Sequence, residues 1–148
     1  YFFFFLLIIN YIVYIIEIMN DFTKILRNHK LRPTQQRVNL GKLLFGKGNR
    51  HVTAEILKYE SDCENLKVSQ ATVYNVLNDF YNVGLLAKVN IDDDKTWYDT
   101  NVEHHYHIFI EDESRLVDIS PDAIDISIPK KLTKGKISKV DLVVKINS

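Results

Sequence analysis

The chain has 148 residues, 46% hydrophobic and 26% charged, with one cysteine, Cys63, and a formal net charge of zero. That suffices for one ordinary domain or two small ones around a packed core, which excludes a disordered tail. A lone cysteine excludes an internal disulfide and any zinc site built on cysteines alone. The zero charge hides an asymmetry: residues 20–90 hold 11 Lys/Arg against 6 Asp/Glu, and residues 91–148 hold 8 against 12. A basic half points to an anionic partner, and an acidic, histidine-bearing half points to cations.

The chain opens on YFFFFLLIINYIVYIIEIMN, which has the length for a bilayer span at about 20 residues. It has no initiating Met, no basic flank and no small-residue cleavage site. Met19, the only methionine, directly precedes ordinary globular sequence. Residues 1–18 are therefore expected to be translated upstream sequence, with the natural start at Met19 and no membrane attachment. A single-span anchor is the alternative, with Asn10 and Glu17 as its cost.

From Asn20 the pattern is four helices and then strands. DFTKILRNHK forms a short amphipathic helix with Phe22, Ile25 and Leu26 on one side. Pro33 suits a helix start, where its missing N–H costs little. Val38, Leu40, Leu43, Leu44 and Phe45 form the apolar side of that helix, and Gly46 and Gly48 end it. Thr53 caps a third helix. Ser69 caps a fourth, and Gly84 stands at its C′ position. LLAKVNI and TWYDT then read as two strands around the polar DDDK. Small helices and a β-hairpin in a basic segment give an α+β chain. A winged helix-turn-helix spans 19–90, a small α/β dimerisation domain spans 91–148, and the junction falls at Ile91–Lys95.

The fourth helix sorts into two faces. Val73, Val76, Leu77 and Phe80 recur at three and four and form the buried stripe. Gln70, Tyr74, Asn78 and Tyr81 form the outward stripe, which carries no acid, as a major-groove reader requires. Ser69, Thr72 and the free N–H groups of the helix start can hold phosphates. The plain alternative is an ordinary solvated helix face, and periodicity alone does not choose between them.

Beyond Thr100 the period becomes two. HYHIFIEDESRLVDI reads as a hairpin turning at EDES, and Ile124, Ile126 and Ile128 alternate, as do Val140, Leu142, Val144 and Ile146. A small sheet with one apolar face calls for cover from a second copy, and a homodimer would match a palindrome with two reading heads. His104, His105 and His107 are three of the chain's five histidines. On a strand His105 and His107 share a face, and His104 and Tyr106 share the other. Asp118 lies on the paired strand and Asp99 shortly before the cluster. Two imidazoles with carboxylates suit Zn, Fe or Mn. Exposed histidines bonded to neighbouring acids are the alternative.

The segments LRPTQQRV, RHVTAEIL, VSQATVYNVLNDFYNVGLL, WYDT and HHYHIFIEDESRLVDI, in that order and spacing, resemble the ferric uptake regulator family over nearly all of Asn20–Ser148. KTWYDTNVEHHYHIFIEDESRLVDI is most similar to its iron response regulator branch. The resemblance implies a cytoplasmic, dimeric, metal-responsive repressor of iron homeostasis that binds AT-rich palindromes on double-stranded DNA. It places Arg32 at a minor-groove contact and Tyr74 at the bases. Asn75 stands where many members carry Arg, so one phosphate contact is expected to be weaker. The implied regulatory ligands are His51, Asp99, His105, His107 and Asp118. Ile110 and Glu113 stand where most members have a structural Cys-x-x-Cys zinc motif, so that zinc is not expected. A second His/acid site is incomplete, with Tyr106 and Lys139 at ligand positions beside His104 and Asp125. In the iron response branch haem reports iron status. Cys63 precedes Glu64 rather than a proline, so a haem here would take His104, His105, Tyr106 or His107, with a haem-delivering protein as a further partner. A Mn, Zn or peroxide sensor is the nearest rival. A small metal-dependent hydrolase using His105, His107 and Asp118 is a distant one, since it needs a base and a pocket that no motif supplies. No catalysis is expected.

Overall fold

The computed structural model describes residues 21–92, 95–129 and 135–147, so the reading of 1–18 lies outside it. Among the described residues no helix is long and apolar enough to cross a membrane. The chain divides into two compact units, one running through Val102 and the other starting at Glu103.

In the first unit residues 21–28 form α1. They are followed by α2 (Gln35–Phe45), β1 (His51–Val52), α3 (Ala54–Cys63), α4 (Gln70–Asn82), β2 (Ala87–Asp92) and β3 (Lys95–Asp99). Three of these helices start on a hydroxyl cap. Thr34, Thr53 and Ser69 sit in extended backbone and accept from the N–H of Arg37, Ile56 and Thr72 respectively, satisfying donors that a helix start leaves open. Pro33 therefore lies just outside α2, one residue before the cap, and not at the first helical position. Gly84 follows α4 at φ 79°, a left-handed turn that glycine adopts without a Cβ penalty.

The core joins the helices to the sheet. Leu26, Leu40, Leu44, Leu57, Val73, Leu77 and Phe80 are fully buried, with Tyr98 of β3 against them. Phe22, Phe45 and Phe80 form an aromatic triangle with ring centroids 5.5, 5.9 and 6.3 Å apart. Gly41 admits the first of these rings, because a Cβ there would lie 1.9 Å from Phe22 Cε1. The sheet has the order β1-β3-β2 and is antiparallel, pairing His51 with Asp99, Val52 with Tyr98 and Val89 with Trp97. β3 therefore belongs wholly to the helical unit, and this carries the unit past residue 90, where the sequence placed its boundary.

Two charged pairs brace the helical unit, one between α2 and α4 and one from the turn before β1 to α3. Arg37 donates through Nη2 (2.7 Å) and Nε (3.2 Å) to Asp79 Oδ2, and through Nη1 to the Arg32 carbonyl at 2.9 Å. Arg50 grips Glu60 with both terminal nitrogens, at 2.7 and 3.0 Å. Burial works to raise the Glu60 carboxyl, but Arg50 and Lys47 outweigh it and hold it below its ordinary value.

The second unit contains β4 (Tyr106–Ile110), β5 (Arg115–Ile119), a 3-10 turn at Pro121–Ala123 and β6 (Val143–Ile146). Its order is β5-β4-β6, with β4·β5 antiparallel and β4·β6 parallel. The hairpin turns at 111–114, as the sequence suggested. The alternation of Ile124, Ile126 and Ile128 does not form a strand. A strand needs a ladder partner as well as the right period, and none of the described strands pairs with this stretch. Ile126 and Ile128 are exposed, as are Val144 and Ile146 of β6.

Candidate metal centre and reading helix

Each unit brings candidate metal donors together within itself. In the first, the β1–β3 register sets His51 opposite Asp99, with His51 Nε2 3.3 Å from Asp99 Oδ2. Asp99 is fully buried, and its Oδ1 accepts the Asn101 backbone N–H at 2.8 Å. Thr100 closes the strand end by accepting the Arg50 N–H on Oγ1 at 2.8 Å. A buried carboxylate beside an imidazole is costly unless paired or bound to a cation.

In the second unit the β4–β5 register sets His107 opposite Asp118. His105 Nε2 and His107 Nε2 are 2.9 Å apart, and Asp118 Oδ1 is 3.4 Å from the first and 3.9 Å from the second. His105 Nδ1 lies 2.7 Å from the Glu103 carbonyl, which accepts its proton. That bond leaves the Nε2 lone pair facing His107, the tautomer a metal ligand needs. The donors are imidazole nitrogens and carboxylate oxygens without a thiolate, a set suited to Zn, Fe or Mn. His51, Asp99, His105, His107 and Asp118 are thus all residues that could hold a metal ion.

The other histidine-cluster residues stand apart from these donors. His104 is exposed and meets the buried Tyr106 edge-on, with ring centroids 5.2 Å apart. Asp125 is exposed, and Lys139 pairs with Asp141 at 2.7 Å. Cys63 is exposed and free at the end of α3.

On α4, Gln70, Tyr74, Asn75 and Tyr81 are exposed and Thr72 is half-buried, while Val73, Val76, Leu77 and Phe80 face the core. Ser69 Oγ and Thr72 Oγ1 lie 2.9 Å apart at the helix start. Arg32 is exposed, its carbonyl held by Arg37. Asn78 departs from the expected outward stripe. Its Oδ1 accepts from Lys88 Nζ and from Tyr98 OH, each at 3.1 Å, so it joins α4 to the hairpin. Lys88 also stands 4.3 Å from the centre of the Tyr81 ring. The outward stripe of α4 itself carries no acid, but Glu55 of α3 reaches it and accepts the Tyr74 hydroxyl at 2.7 Å. Neither Glu55 nor Lys88 had a signal in the sequence, since both act through partners 10 to 19 residues away.

The sequence matches the ferric uptake regulator family over residues 28–147. It is also 30% identical over 108 residues to a ferric uptake regulation protein of Shigella flexneri, covering 72% of this chain and 73% of that one. The chain belongs to the ferric uptake regulator family. A second family member, the peroxide-responsive repressor of Staphylococcus saprophyticus, is 28% identical over 107 residues and covers 72% of each chain. The fold agrees with that of the Vibrio cholerae ferric uptake regulator at a TM-score of 0.70, with 21% identity, covering 85% of this chain and 98% of the other. That likeness establishes the α+β, winged-helix architecture of the family for this chain.

Proposed function

We propose that this member of the family is a metal-responsive, DNA-binding regulator of iron status and not an enzyme. It works in the cytoplasm as a homodimer on AT-rich palindromes, in the manner of the iron response branch. The observation that carries the reading is the convergence of His105 and His107 Nε2, 2.9 Å apart, beside Asp118 Oδ1. The single cysteine of the chain supports the iron response type, because a four-cysteine structural zinc cannot form.

His105, His107 and Asp118 of the second unit, and His51 and Asp99 of the first, are the residues that would take up the ion. An ion bound there would supply a fixed positive charge to these carboxylates and imidazoles. Occupancy would then favour one state of the chain over another and shift operator affinity. On α4, Gln70 and Tyr74 face the bases, Ser69 and Thr72 hold phosphate, and Asn75 makes the weaker phosphate contact. Arg32 reaches the minor groove. The exposed Ile126, Ile128, Val144 and Ile146 are the face a second copy covers. A Mn, Zn or peroxide sensor is the second reading, favoured by a donor set that lacks a thiolate.

The test is fluorescence anisotropy of the chain on a labelled AT-rich palindromic duplex, with chelator, with Fe(II), Mn(II) or Zn(II), and with haem. Chelation should weaken binding and one of the ions restore it. Persistence without metal and loss on adding haem would instead put haem at His104, His105, Tyr106 or His107. Binding indifferent to all of these would sink the reading. In the same assay Arg32→Ala should lower affinity and reduce the salt slope by about one charge. An unchanged slope removes Arg32 from the interface.

A further inference from the structure

Tyr74 is exposed on α4, yet its hydroxyl is committed, donating to Glu55 Oε1 at 2.7 Å. Glu55 is the second residue of α3, a position fixed by the Thr53 cap. A tyrosine hydroxyl has one proton to donate and lone pairs to accept with. A carboxylate takes that proton in a short, charge-assisted bond, so what remains for a ligand is acceptor capacity and the ring. A phosphate offers only acceptors and is repelled by the Glu55 charge. The major-groove edges of adenine and cytosine offer amino donors.

We propose that Glu55 is a positioning residue that fixes Tyr74 as a hydrogen-bond acceptor, so that Tyr74 selects an exocyclic amino group of adenine or cytosine and is kept off phosphate. The proposal rests on the DNA-reading function above and adds which chemical group the helix reads. The same bond pushes the Tyr74 hydroxyl above its ordinary pKa and holds the Glu55 carboxyl below its own. Near neutral pH the pair therefore keeps one polarity, with the proton on tyrosine and the charge on glutamate. Gln70, one turn earlier on α4, bears on the same hydroxyl in the opposite sense.

The test uses a duplex selected by the wild-type chain from a random-sequence library, with a scrambled duplex of equal composition as control. Glu55→Ala and Glu55→Gln both remove the charge, but only the first removes the acceptor. Glu55→Ala should cut the selected-over-scrambled affinity ratio about tenfold, while Glu55→Gln should keep most of it because its amide oxygen still accepts from Tyr74. Tyr74→Phe, which leaves Glu55 in place, should show the same loss, and adding Glu55→Ala to it should cost nothing further. Absorbance titration of Glu55→Ala should find one tyrosine ionising at lower pH than in the parent. Equal behaviour of the Ala and Gln variants, or additive losses with Tyr74→Phe, would overturn the proposal and leave DNA reading standing. A wild-type chain that selects no sequence would overturn DNA reading itself and the proposal with it.

Discussion

The double substitution His105→Ala, His107→Ala is expected to abolish stoichiometric uptake of Mn(II), Zn(II) or Fe(II) while the metal-free chain keeps its fold. Each residue contributes its Nε2, and the two atoms lie 2.9 Å apart with Asp118 Oδ1 3.4 Å from the nearer. Removing groups that merely support ligands costs about 10–100-fold in metal affinity. Removing two of the ligands themselves should exceed that. His107 is buried, so a small loss of stability is expected from the space it leaves. The backbone pairing of β4 with β5 and β6 does not use either ring and should hold the sheet. Equilibrium dialysis with metal analysis gives the stoichiometry, and circular dichroism reports the fold. Undiminished stoichiometry would place the ion elsewhere.

Phe80→Ala should lower the unfolding free energy by about 3–5 kcal/mol, through lost transfer energy and the cavity left behind. Phe80 is fully buried and closes the aromatic triangle with Phe22 and Phe45. Small domains have only about 5–15 kcal/mol in total, so this change takes a large share. It also removes the inner support of α4, the helix that carries Tyr74. Urea unfolding followed by the fluorescence of Trp97, the chain's only tryptophan, reads this unit directly, since Trp97 lies in β3. A loss below about 1 kcal/mol would mean that the site collapses around the smaller side chain.

Local signals made the helical unit legible. Caps at Thr53 and Ser69, the left-handed turn at Gly84 and the stripe of Val73, Val76, Leu77 and Phe80 each depend on residues within a few positions. The hairpin of β4 and β5 followed from period-two alternation around a polar turn. Asn78 was misread because its helical position faces outward until Lys88 and Tyr98 are brought against it. Glu55 was missed for the same reason, as the α3–α4 packing that sets it at Tyr74 leaves no periodic trace. Ile124, Ile126 and Ile128 alternate like a strand, yet strand formation depends on a neighbour, and a pattern cannot supply one. In the donor set, period two put His105 and His107 on one side. His51 joins the donor set only by family resemblance, and nothing in the sequence pairs it with Asp99, since β1 is two residues long and carries no pattern of its own.

The same strand, β3, carries Asp99 at one end and begins at Lys95 in the hairpin at the other. The Asp99 end is aligned on both sides, by His51 of β1 and by Ala87 of β2, away from the hairpin turn. Lengthening the chain ahead of Lys95 would therefore leave the carboxylate where it is, whereas one residue inserted between Thr96 and Asp99 would turn it to the opposite side of the sheet. Relatives should then differ freely in the length of the wing and scarcely at all in the spacing from tryptophan to ligand. A graft of a foreign wing onto this chain would keep its metal chemistry if the splice stayed ahead of Thr96.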